Sequence, residues 1–161
     1  MYPDELATTE AVLRAYPDAL RDKAAREEYL QGLCAGGSVG DDVHVDGGSG
    51  VSAGDRYAMA ADKDARLRRA RRIVAAVRCG LKLLNHSEAR VTHAVYFEGL
   101  APAAAAAQLH VSTSYVRSLV DAARTKLAPS CIAVYADVCA LREALREERL
   151  DVLRKQEKPR A

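Results

Sequence analysis

Apolar residues recur three and four positions apart along most of this 161-residue chain, the spacing of one helix face. Leu6, Val12 and Leu13 predict a short helix over residues 5–15. Tyr16-Pro17 interrupts it, since a residue before proline resists the α region. Pro17 then opens a second helix to about Leu33, with Leu20, Tyr29, Leu30 and Leu33 as its sparse apolar face. After a gap, Leu67, Ile73, Val74, Val77, Leu81 and Leu84 predict one long helix from Arg56 or Tyr57 to about Leu84. Asn85 and Glu88 fit a capping box for a helix reaching Glu98, with Val91, Val95 and Tyr96 inward. Past Pro129, the steps from Val134 through Val138, Leu141 and Leu145 to Val152 outline a heptad-like seam over residues 130–155, broken at Glu148. Such a seam packs on the chain's own long helix or pairs with a second chain, and the expected outcome is a homodimer.

Between Glu98 and Pro129 two amphipathic patterns flank a tight connection, which reads as a helix-turn-helix. Pro102 opens the first helix, where its missing N–H is no loss, and Ala105, Ala106 and Leu109 face inward. His110 and Val111 make the turn, and Ser112 caps the next helix. In that helix Val116, Leu119, Val120, Ala123 and Leu127 form the inner stripe. The outer face carries Thr113, Ser114, Tyr115, Arg117, Ser118, Asp121 and Arg124. Donors and guanidinium groups on one face suit a helix in the major groove of double-stranded DNA. Arg117 is expected to lead base readout, held by Asp121 at i,i+4, with Arg124 over phosphate.

Composition supports an all-α fold: nearly half the residues are hydrophobic, many of them Ala, and aromatics are scarce. Residues 36–55 are rich in Gly, Ser and Asp and read as a linker. A phosphate-binding loop is excluded there, because Asp55 stands where such a loop needs Lys. The chain thus divides into an acidic helical arm over 1–35, the linker, a basic helix plus helix-turn-helix over 56–130, and a C-terminal helix over 131–161 whose charged end from Gln156 frays.

The formal charge of +2 hides an asymmetry, for residues 1–55 carry −7 and the remainder +9. Like charges crowded on one helix destabilise it unless neutralised. Arg68, Arg69 and Arg72 are therefore expected to meet the phosphate backbone, and DNA binding to weaken steeply with salt. The acidic arm is expected to be dispensable for that binding, docking on the body, on a partner or on the basic helix as a mask.

Cys34, Cys79, Cys131 and Cys139 lie far apart with no C-x-x-C pair, so free thiols are expected. Nothing completes a metal site around His86 and His93, no cofactor motif occurs, and no catalytic pairing of Ser, His, Asp or Cys stands out. An enzyme is not expected. Without an apolar leader or spanning segment, a cytoplasmic protein that does not enter membranes is expected.

The runs Leu84-Asn85-His86-Ser87-Glu88-Ala89-Arg90-Val91, Gly99-Leu100, Leu109-His110-Val111-Ser112, Val116-Arg117-Ser118 and Ala123-Arg124-Thr125-Lys126-Leu127 resemble region 4 of sigma-70-type factors over about residues 80–128. Two positions depart from that pattern: Ala104 replaces an acidic residue, and His110 replaces the usual glycine of the turn. Together with the N-terminal helix, the Gly-rich break and the basic helix, the layout resembles small phage and prophage transcriptional regulators of the RinA and ArpU kind. The resemblance implies a DNA-binding activator of late phage genes. Two other uses of the same fold are a small terminase subunit in DNA packaging and an interaction protein that grips RNA polymerase without touching DNA.

Overall fold

The computed structural model describes residues 3–35 and 52–157, and all regular structure among them is helical. In order these are α1 (Pro3–Ala35), α2 (Ala53–Lys63), α3 (Ala65–Leu81), α4 (His86–Thr92) running into a π-helical turn (His93–Phe97), α5 (Pro102–Leu109), α6 (Thr113–Ile132) and α7 (Tyr135–Glu157). No described helix is long and apolar enough to cross a membrane. The expected linker lies outside the described residues up to Val51, and Ser52 already caps α2 by accepting from the Asp55 amide. The expected fraying tail lies outside them beyond Glu157, while Gln156 is helical.

Three helices make the centre. α1, α3 and α6 pack mutually, bringing Val12, Leu13, Tyr16 and Ala19 against Ile73, Val74 and Val77 and against Val120, Ala123 and Leu127. The π turn adds Val95 and Tyr96, and α7 closes the side with Val138 and Leu141. A satellite cluster joins Leu30, Ala61 and Leu67 where α2 covers α1.

Two proline readings are corrected. Pro17 does not divide the N-terminal segment; α1 is continuous through it. An interior proline costs a helix about 3 kcal/mol, and burial of Val12, Leu13, Ala15, Tyr16 and Ala19 around it outweighs that. Pro129 likewise lies inside α6, which continues to Ile132 with Leu127, Ala128 and Cys131 buried beside it. Burial pushes the Cys131 thiol up to about 12.

The basic helix is divided in turn. Asp64 ends α2 and caps α3 in extended geometry (φ −78°, ψ 96°), accepting from the Leu67 amide at 3.0 Å. The break satisfies first-turn donors and lets Ala61 and Leu67 both reach Leu30.

The acidic segment docks on the body: α1 packs against α3 and α6 and supplies much of the central core. Its carboxylates take up part of the basic charge of α3: Asp22 binds Arg66 at 2.5 Å, and Glu27 accepts from Arg71 at 2.9 Å. The C-terminal seam is used within the chain as far as Leu145, with Val138 and Leu141 buried in the core; beyond it Val152 is 53% exposed.

Candidate nucleic-acid interface

Local chemistry fixes the turn between α5 and α6. Ala105 and Ala106 bury α5, and Ala104 is exposed. His110 adopts the left-handed conformation (φ 56°, ψ 44°), the sole non-glycine with positive φ among the described residues. Its N–H donates to the carbonyls of Ala106 and Ala107, and Val111 N–H donates to Ala106 at 3.0 Å. These are bonds of a left-handed helix C-cap, normally a glycine position; His is among the residues that tolerate it. The Ser112 hydroxyl then accepts from the Tyr115 amide at 3.2 Å. Upstream, Gly99 (φ 73°) makes the turn out of the π segment.

Val116, Val120, Ala123 and Leu127 anchor α6 in the core. The opposite face presents Ser114, Tyr115, Arg117, Ser118 and Asp121 to solvent, with Thr113 half-buried. Arg117 and Ser118 have no side-chain partner among the described residues. The expected Arg117–Asp121 pair does not form; Asp121 lies 3.5 Å from Arg124 instead.

Arg124 is the main correction among the expected contact residues. Its side chain is 22% exposed. Nε donates to the Tyr96 hydroxyl at 2.5 Å and Nη2 to Glu10 at 2.8 Å. Its guanidinium lies over the Tyr96 ring while Arg14 approaches the same ring. Its spacing on α6 placed it near the outer face, but it bridges α1, the π turn and α6. Burial raises the Tyr96 hydroxyl above its ordinary range, partly offset by Arg124.

On α3 the arginines divide by partner. Arg66 and Arg71 are consumed by carboxylates. Arg72 Nε is 3.3 Å from Asp137, off the direction of a hydrogen bond, and its side chain remains 66% exposed. Arg68 and Arg69 are exposed and without an ion-pair partner among the described residues. The three line one cleft of about 400 Å³ with Ala65 and Asp137. α3 and α6 meet at Gly80, where a Cβ would stand 2.6 Å from Leu127 Cδ2. From that crossing, Arg69 lies about 16 Å along α3 and Arg117 about 15 Å along α6, at 1.5 Å per residue.

Glu88 ties α4 to this unit. It completes the capping box by accepting from the Asn85 amide at 2.9 Å, and it holds Lys126 of α6 at 2.7 Å. Lys126 and the Asn85 amide keep its carboxyl below the usual carboxylate range. That contribution is therefore fully present above the unfolded value of about 4.3 and is lost as pH falls through the lower folded value. Glu88→Gln is expected to destabilise the protein by about 1–3 kcal/mol at pH 7. The difference should shrink in urea titrations as pH falls below the usual carboxylate range; a gap constant with pH would assign the effect to packing.

Arg117, Ser118 and the arginine triplet are exposed on their helices, as the sequence pattern predicts. Glu10, Tyr96 and Asp137 were not among the expected site residues, because their partners lie on other helices and leave no local periodicity. Among the described residues no cluster of three His, Cys, Asp or Glu could hold a metal ion. No protein-family model, no curated protein and no solved structure matches the chain.

Proposed function

We propose that this chain is a sequence-specific DNA-binding transcriptional regulator, of the kind that activates late genes in phages and prophages. The observation that carries the reading is the unpartnered Arg117, flanked by Ser114 and Ser118 on the exposed face of a helix whose other face is locked in the core. A free guanidinium carried on a helix whose other face is fixed in the core suits bidentate contact with a guanine edge. The left-handed His110 turn and the Ser112 cap fix the start of that helix, the end that meets bases in helix-turn-helix proteins. Thr113 and Tyr115 stand beside it. Arg68 and Arg69, with the half-engaged Arg72, supply phosphate contacts on a second helix. Arg124 is assigned to holding the fold.

Selected-sequence profiling and salt titration test this together. Arg117→Ala is expected to flatten preference at one or two base positions, a loss of roughly 1–3 kcal/mol in discrimination. Changing Arg68, Arg69 and Arg72 to Ala is expected to leave the preference unchanged and make the salt dependence shallower, by up to about 0.9 in the log–log slope for each phosphate no longer neutralised. A protein-gripping use of the same helix, on RNA polymerase, is favoured by one observation: Val111 and Tyr115 are 38% and 49% exposed beside it. Duplex binding that is absent at low salt, or indifferent to all four arginines, would select that use.

A further inference from the structure

Arg90 is exposed on α4, and its side chain has no ion-pair or hydrogen-bond partner among the described residues. The nearest carboxylate in sequence, Glu88, is already engaged by Lys126 and the Asn85 amide. Arg90 and Val91 share a cleft of about 50 Å³ with Val111 of the turn and with Tyr115 and Leu119 of α6. A free guanidinium therefore stands beside the first turn of α6. The backbone that carries it is fixed, because Val91 is buried in the core and the Glu88–Lys126 pair joins α4 to α6. Tyr115 is half exposed, and its hydroxyl is likewise unpartnered among the described residues.

Around α6, Tyr115 and Arg117 lie about 160° apart at 3.6 residues per turn, with Ser114 and Ser118 on the face between them. A helix about 10–12 Å across fills a major groove about 12 Å wide, so a phosphate strand borders each of its flanks. We propose that Arg90, with the Tyr115 hydroxyl beside it, holds a DNA phosphate at the flank of α6 opposite Arg117, and so sets the register in which Arg117 meets a base edge. Charge selects that occupant: a cation and a neutral donor, both unpartnered, border a face that itself carries donors. A phosphate contact of this kind fixes orientation and carries no sequence information. The proposal rests on the DNA-binding reading and adds to it a contact from α4.

Salt titration, selected-sequence profiling and phosphate-ethylation interference on the full chain test it, with a duplex selected by the wild type as the probe. Arg90→Ala is expected to weaken binding to all sequences alike and to make the log–log salt dependence shallower by about 0.9, the value of one phosphate. Between 50 and 200 mM salt its affinity should then fall about 3.5-fold less than that of the wild type. Arg90→Lys should keep the slope. Tyr115→Phe should weaken binding with the slope unchanged, because losing a neutral donor alters no counterion release. Ethylation of one phosphate should weaken the wild type and leave Arg90→Ala unaffected. Helix content and urea midpoint should stay at wild-type values, since Arg90→Ala breaks no contact within the fold. A wild type that binds no duplex at low salt would overturn this contact together with the reading it rests on. An Arg117-dependent base preference, with slope and interference pattern that survive Arg90→Ala, would overturn this contact alone. A base preference altered by Arg90→Ala would also overturn it, because a phosphate contact leaves preference unchanged.

Discussion

Leu13→Ala is expected to lower the unfolding free energy by about 2–5 kcal/mol, a large part of the stability of a chain this size. Leu13 is fully buried at the centre of α1, in the cluster formed with α3 and α6. Truncation removes its transfer free energy and leaves a cavity lined by three helices, none of which can close it without shifting the others. Leu33→Ala on the same helix, at a position 59% exposed, should change stability by less than about 0.5 kcal/mol. Urea unfolding of the two variants measures the contrast. If Leu13→Ala matched Leu33→Ala, α1 would be a detachable arm, as the acidic composition of the first 35 residues suggests when read alone. The consequence for function is practical: deleting α1 to ask whether its carboxylates mask the basic helix would unfold the protein, so that question needs charge substitutions at surface positions.

Signals contained within a few residues were legible in the sequence. The Ser112 cap, the Asn85–Glu88 box and the turn at His110 are satisfied by neighbouring backbone groups, and all three occur as their spacing predicts. Pro17 and Pro129 are equally local signals, yet there the prediction of helix ends fails. Their intrinsic cost is fixed, whereas the burial on either side of them depends on helices distant in sequence. The divided basic helix shows the reverse case. Asp64 had the chemistry of a cap, and the apolar positions from Leu67 through Leu84 all follow it, yet the predicted helix began at Arg56 or Tyr57; the packing of Leu30 on Ala61 and Leu67 gives the break its reason. Arg124 was legible as polar and α-helical. Its partners Glu10 and Tyr96 lie 114 and 28 residues away, so spacing along α6 could not distinguish a guanidinium for phosphate from one for the core. The charge asymmetry between the first third and the rest is real, and much of it is resolved by pairing within the molecule.

Removing Arg66 is expected to be as damaging as removing a core leucine, for an electrostatic reason. Its guanidinium reaches Asp22 on α1 at 2.5 Å and Glu148 on α7 at 2.7 Å, with side chains 17%, 5% and 59% exposed respectively. The two carboxylates hold Arg66 above its ordinary range, against the opposing effect of burial. The exposed Glu148 arm is worth little, as surface pairs are, and Asp22 decides the magnitude. In Arg66→Ala its carboxylate would remain buried without a counter-charge, a change that costs about 3–5 kcal/mol when one partner of a buried pair is deleted. Asp22→Asn alone should cost less, because Arg66 keeps Glu148. The double variant should be more stable than Arg66→Ala, since the stranded charge is gone. Additive losses in that four-way cycle would mean that Asp22 is solvated after all. Acid separates the two arms further. Arg66 keeps the Glu148 carboxyl below its usual range, so this arm contributes above the unfolded value of about 4.3 and is lost as pH falls through the lower folded one. The same residue joins three helices at the start of α3, one turn before Arg69. Arg66→Ala is therefore expected to loosen the base from which Arg68 and Arg69 project, and hydrogen exchange should register that as faster exchange in the first two turns of α3 before global unfolding does.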